Sequence, residues 1–197
     1  MNKKLSLILA AAAAVLLSGC AAFYTLEGQR YNSAEEFQRT VDSHAAAAVA
    51  AVAPLPSPLT KKKLIFAIPA EATVYQENVR RSTVTNGRAP TGLGAEMVTN
   101  LTRANYKMMK VFYDVVQKKG IYPSVQFMDM PSMAISLEPS ADTDVVYYAE
   151  PSQGTGQWFY ASAKSGRQVF AYDRSGAGPT AKALAFIDAV QAQAIRE

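Results

Sequence analysis

Apolar and polar residues alternate along this chain in periods that change several times, and each change marks an element boundary. Phe37, Val41, Ala45, Ala48 and Val52 recur every three or four positions, which places them on one face of a helix running to about Ala53. Ser33 followed by Glu36 fits a capping box at its start. Pro54, Pro56 and Pro58 end it, because proline fixes its own φ and biases the preceding residue away from helix. Leu64 to Ile68 is a continuous apolar run between charge and Pro69, the pattern of a buried central strand. Ala70 to Thr91 shows no sustained period and contains Asn86-Gly87 and Pro90, so it reads as a long loop with hairpin character around Val79 to Thr85.

Beyond Gly94, Met97, Leu101, Met108, Phe112 and Val115 return to helical spacing, and Lys118, Lys119 and Gly120 supply a C-terminal signal. Ile121 to Met128 alternates as a strand should, with Tyr122, Val125 and Phe127 packing; Pro131 to Asp142 gives no firm element. Asp144 to Tyr148 is a better strand. Gly154 and Gly156 mark a turn before an antiparallel hairpin, Trp158 to Tyr160 and Val169 to Tyr172 joined through Lys164 to Arg167. A last helix begins near Thr180 and aligns Ala183, Ile187, Val190 and Ala194. The predicted fold class is α/β (α+β): a mixed sheet of four to five strands with a C-terminal antiparallel hairpin, packed by two or three helices.

The amino end carries a different signal. Lys3 and Lys4 open an apolar run from Leu5 to Leu17 that closes on Leu17-Ser18-Gly19-Cys20. This resembles a bacterial lipoprotein signal and matches the lipobox at all four places. The run is shorter than the roughly 20 residues a spanning helix needs, and Ala10 to Ala14 weaken it further. The resemblance implies cleavage before Cys20, a diacylglyceryl group on its sulfur and acylation of the freed amine. Each buried methylene then contributes about 0.8 kcal/mol to anchoring. Ala21, standing where an aspartate would direct inner-membrane retention, implies the periplasmic face of an outer membrane, with surface display as the alternative. The chain divides into a signal peptide (1–19), an anchor, tether, helix and Pro-rich linker (20–60), and a periplasmic domain (61–197).

Charge and cysteine usage narrow the function classes. The chain has 20 basic and 16 acidic side chains; without Lys3 and Lys4 the balance is 18 to 16, a net charge of +2, and export argues further against nucleic acid. Cys20 is the only cysteine, which leaves the mature chain no intramolecular disulfide and no Cys-based metal cluster. His44 is the only histidine and lies without a placed Ser or Cys partner, so no triad and no zinc site can be built on it. Asp142, Asp144 and Glu150 lack calcium-loop spacing and read as charged strand ends. Gly176, Gly178 and Lys182 read as a turn and helix start, since Pro179 interrupts them and Gly-Lys-Ser/Thr is absent. Asp114, Asp129, Glu138 and Asp173 have no context that pairs two of them across a sugar. No cofactor and no metal are expected.

Two groups of residues are candidates for partner binding. Trp158 and Tyr160, with Tyr147, Tyr148, Phe170 and Tyr172, sit on strands whose alternate side chains face opposite ways; one set packs beneath helices and the other is free to stack on glycan or protein. Arg80, Arg81 and Arg88 lie in the expected loop, suited to an acidic partner or lipid headgroups, with a solvated basic loop as the bland alternative. Across Lys62 to Pro69, Lys118 to Phe127 and Asp142 to Tyr148, pattern and element order resemble the α/β domain of envelope assembly lipoproteins. That group includes the curli-secretion lipoprotein, the penicillin-binding-protein activator lipoprotein and the N-terminal domain of TolB. The resemblance covers roughly Lys61 to Glu197 and implies binding or assembly without turnover. The expectation is a non-catalytic, lipid-anchored protein that joins an envelope protein partner. The alternatives are an envelope enzyme or a glycan-binding module acting on peptidoglycan or polysaccharide.

Overall fold

In the computed structural model, residues 24–26, 29–150, 156–170 and 178–196 are described. The expected signal peptide, Cys20, Gly154, Tyr172, Asp173 and Gly176 lie outside them. A small antiparallel hairpin comes first, β1 (Tyr24–Leu26) and β2 (Gln29–Tyr31), which the sequence pattern did not suggest. Helix α1 (Ala34–Ala50) follows with Ser33 as its N-cap, the hydroxyl accepting from the Glu36 N–H at 3.4 Å, and buries Phe37, Val41, Ala45 and Ala48 as the spacing required.

The main sheet is built from β3 (Lys63–Pro69), β4 (Val125–Met130), β5 (Thr143–Ala149), β6 (Gln157–Ser162) and β7 (Gly166–Val169) in the order β4-β3-β5-β6-β7. β3 pairs in parallel with both β4 and β5; β5, β6 and β7 are antiparallel. Between β3 and β4 run α2 (Glu71–Asn86) and α3 (Leu93–Lys119), and α4 (Pro179–Arg196) closes the chain. The α/β class and the antiparallel C-terminal hairpin are as expected, with four helices among the described residues instead of two or three.

The long loop expected between Ala70 and Thr91 is instead α2 and a short turn. The physical reason is that the apolar residues of α2 do not form a buried face: among its sixteen residues only Val74 is buried, so no apolar stripe betrays it. It is held by polar contacts. Asn78 donates to the Thr102 hydroxyl at 3.0 Å and the Thr73 hydroxyl to the Met130 carbonyl at 3.3 Å. Its end is marked by Gly87 at φ 71, left-handed backbone that glycine adopts without steric cost. The strand expected at Ile121 to Met128 begins four residues later, at Val125. Ile121 and Tyr122 are buried nonetheless, in the connection after Gly120.

Alternation along the strands divides the core. Leu64, Phe66, Ile68, Val146, Tyr148, Trp158 and Tyr160 face α1, α3 and α4 in the larger cluster. Ala67, Met130, Val145, Tyr147, Ala149 and Ala161 face the other way, where Ile135 and Leu137 of the β4–β5 connection lie over them. A third cluster joins Tyr24 and Tyr31 of the hairpin to Phe37 and Val41 of α1 and Ala104 of α3. Gln38 donates to the Asn100 carbonyl, Lys107 pairs with Asp42, and the Lys118 ammonium caps the Val49 carbonyl, so α1 and α3 run side by side in the same direction.

Candidate functional site

The connection through α2 and α3 carries the chain from β3 out to β4, and the next connection returns it across β3 to β5. The carboxyl ends of β3 and β5 are therefore a switch point of the parallel strands, the place where open α/β sheets present a crevice. What stands there is a charged cluster linking α2 to the end of β5.

Arg80 holds both Glu77 oxygens, Nε to Oε2 at 2.7 Å and Nη2 to Oε1 at 2.6 Å. Arg81 donates from Nε to Glu77 Oε1 at 2.8 Å and from Nη2 to Glu150 Oε2, and the Tyr148 hydroxyl reaches Glu150 Oε1 at 3.3 Å. The hydrogen bond from Arg80, joined by that from Arg81, holds the Glu77 carboxyl down at about 2. Glu150 is only 7% exposed, and burial pushes its carboxyl above the usual range against the pull of the Arg81 charge. Two carboxylates driven apart in this way occur in acid–base sites and also in structural ion-pair networks. Here Arg81 is committed to both of them, so the cluster's visible work is to fasten a helix with little apolar burial to the sheet.

A second polar cluster lies at the opposite end of β5. Asp144 is fully buried and accepts from the Lys62 ammonium at 3.0 Å, the Tyr122 hydroxyl at 3.0 Å and the Tyr160 hydroxyl at 2.9 Å. Burial, with Tyr160 and Asp144 alongside, pushes the Tyr122 phenol far up, so it stays a neutral donor. This arrangement pins the strand that follows the Pro-rich linker. Asp144, near the start of β5, and Glu150, just past its end, are six residues apart along extended chain, about 20 Å, and cannot share a cation. Among the described residues no group of three metal-ligating side chains comes together.

The sequence-derived candidates separate accordingly. Trp158 (3% exposed) and Tyr160 (fully buried) are core residues and offer no stacking surface, contrary to the expectation. Trp158 packs edge-on to Phe186 at 5.1 Å and to Phe112 at 5.4 Å, while Tyr160 spends its hydroxyl on Asp144. Arg80 and Arg81 are on a helix and engaged with carboxylates instead of lying free in a loop, and Arg88 is exposed in the turn after α2. His44 sits in α1 with its Nδ1 buried and without a hydrogen-bond partner among the described residues. Sequence reasoning missed Glu77 as the centre of the cluster. Its spacing to Arg80 and Arg81, three and four positions on, was the available signal once a helix was granted.

No protein-family model, no curated protein and no solved structure matches the chain.

Proposed function

We propose that this is a lipoprotein anchored through acylated Cys20 at the periplasmic face of an outer membrane, whose non-catalytic domain binds or helps assemble another envelope component. The observation that carries the reading is α2. A sixteen-residue helix is held on the body by side-chain hydrogen bonds and ion pairs while burying only Val74, and Tyr75 and Arg80 stay exposed on it. A surface helix of this kind adds little to the core, and its outward face suits recognition by another molecule. The lipobox residues supply the address, and among the described residues no helix is long and apolar enough to cross a membrane.

Cys20→Ala tests the address: the wild type fractionates with membranes and carries fatty acid, and the variant accumulates as precursor still bearing residues 1–19. Wild-type protein without acyl groups in the soluble fraction refutes the anchor. A photo-crosslinking side chain at Tyr75 tests the role, with capture of an envelope protein as the expected result. Incubation of the lipidated protein with cell-wall sacculi separates the other classes. Release of fragments establishes an enzyme, and retention without release a glycan-binding module.

A further inference from the structure

The distance from the anchor to the folded body is short. Only residues 21–23 separate Cys20 from Tyr24, so the Cys20 Cα lies at most about 15 Å from that of Tyr24. Tyr24 is not a loose tether residue. It is 5% exposed, stacks on Phe37 at 4.9 Å and accepts a hydrogen bond from Asn100 Nδ2 at 3.1 Å. Asn100 lies seven residues, about 10 Å, from the start of α3 and about 27 Å along the axis from Lys118 near its end. The chain therefore leaves the body at the α3 N-terminal end, and the bilayer is held close to that end.

At the same end stands the turn joining α2 to α3. Val84 in the last turn of α2 is 73% exposed and Leu93 at the first position of α3 is 71% exposed, the two most exposed large apolar side chains among the described residues. Arg88 is exposed between them, and Gly87 (φ 71) and Gly92 (φ 54) set the turn. Two aliphatic side chains flanking a guanidinium match a phospholipid surface, aliphatic groups entering the acyl boundary while the cation meets phosphate.

We propose that the α2–α3 tip, through Val84, Arg88 and Leu93, rests on the phospholipid surface beside the anchor and fixes the orientation of the domain. This rests on the acylation of Cys20 proposed above. The contact adds a second point of attachment to the covalent one, so the domain stands in a set orientation with α2 rising from the membrane surface.

The test places a photo-crosslinking side chain singly at Val84, Leu93 or Ile195 of the full, processed protein in vesicles of phosphatidylethanolamine and phosphatidylglycerol. Ile195 is a control of similar exposure, 65%, at the far end of the molecule, where the neighbouring Arg196 carbonyl accepts from Lys164 in the β6–β7 turn. Lipid adducts at positions 84 and 93 should exceed those at 195 several-fold, and Arg88→Glu should lower them. Equal yields at all three positions, or none, overturn the proposal. The mass of the N-terminal peptide is read from the same sample: acylated Cys20 without adducts at the tip ends this proposal alone, whereas unmodified Cys20 ends the lipoprotein reading with it. In native membranes, protein adducts at 84 and 93 in place of lipid would make the tip a protein-docking site and also overturn it.

Discussion

Replacing Asp144 should be the most damaging polar substitution in the described chain. Its carboxylate is fully buried and receives Lys62, Tyr122 and Tyr160 within 3.0 Å, so Asp144→Ala leaves an ammonium and two phenols without their common acceptor. Removing one partner of a buried pair costs about 3–5 kcal/mol, because the groups left behind have lost water as well as their partner. Lys62 sits at the rim with its side chain 17% exposed and can recover water, so the cost falls mainly on the two tyrosines. Tyr122→Phe removes one hydrogen bond to a charged acceptor and should cost about 1.5–3 kcal/mol. Lys62→Met takes the cation from a fully buried carboxylate and should cost more than Tyr122→Phe. Urea unfolding of the protein can be followed through Trp158, the only tryptophan, which is 3% exposed among Phe66, Phe112 and Phe186. A cycle combining Tyr122→Phe with Asp144→Asn isolates their coupling. If Asp144→Ala unfolds within about 1 kcal/mol of the wild type, the reasoning that this cluster pins the start of β3 to β5 is wrong.

Other substitutions probe the remaining features. Glu77, held at about 2 against 4.5 when unperturbed, stabilises the fold fully above pH 4.5 and loses that contribution as pH falls toward 2. Glu77→Gln should therefore be less stable than wild type at neutral pH and converge with it in acid, as melting curves across that range would record. A Cβ at Gly156 would overlap the Tyr148 ring and hydroxyl, so Gly156→Ala should cost about 1–3 kcal/mol and weaken the Tyr148 contact to Glu150; an unchanged melting temperature would contradict this. His44→Ala removes a buried nitrogen that has no hydrogen-bond partner among the described residues and adds the best helix former, so thermal melting should show stability unchanged or raised.

What the sequence disclosed follows from how each element is held. Elements fixed by apolar burial were legible: α1, β3, β5 and the second half of α3 show the required spacing because hydrophobic contact stabilises them. α2 was illegible because polar side chains meeting residues far along the chain hold it, as Asn78 meets Thr102 and Arg81 meets Glu150, and such pairs leave no period. The shift of β4 has a related cause. Ile121 and Tyr122 are apolar because the turn they occupy is buried, and alternation reports burial before it reports strand. Among the candidate site residues, Trp158 and Tyr160 misled because positions two apart share a face, and that face lies under the helices. The clusters around Glu77 and Asp144 each join residues from separate elements, so only the folded chain brings them together.

The first long helix completes its packing with the last one. α1 buries Phe37, Val41, Ala45 and Ala48, and the cover for its later turns comes from α3 and from α4, which spans Pro179–Arg196. For a chain that emerges amino end first, this apolar stripe is made early and finds its partner in α4 only after the whole sheet has followed, so this contact is a late, long-range step. Without α4, the side of α1 that packs against it would be left uncovered. Helix α4 is thus the element that closes this part of the core, although almost the whole domain separates it in sequence from α1.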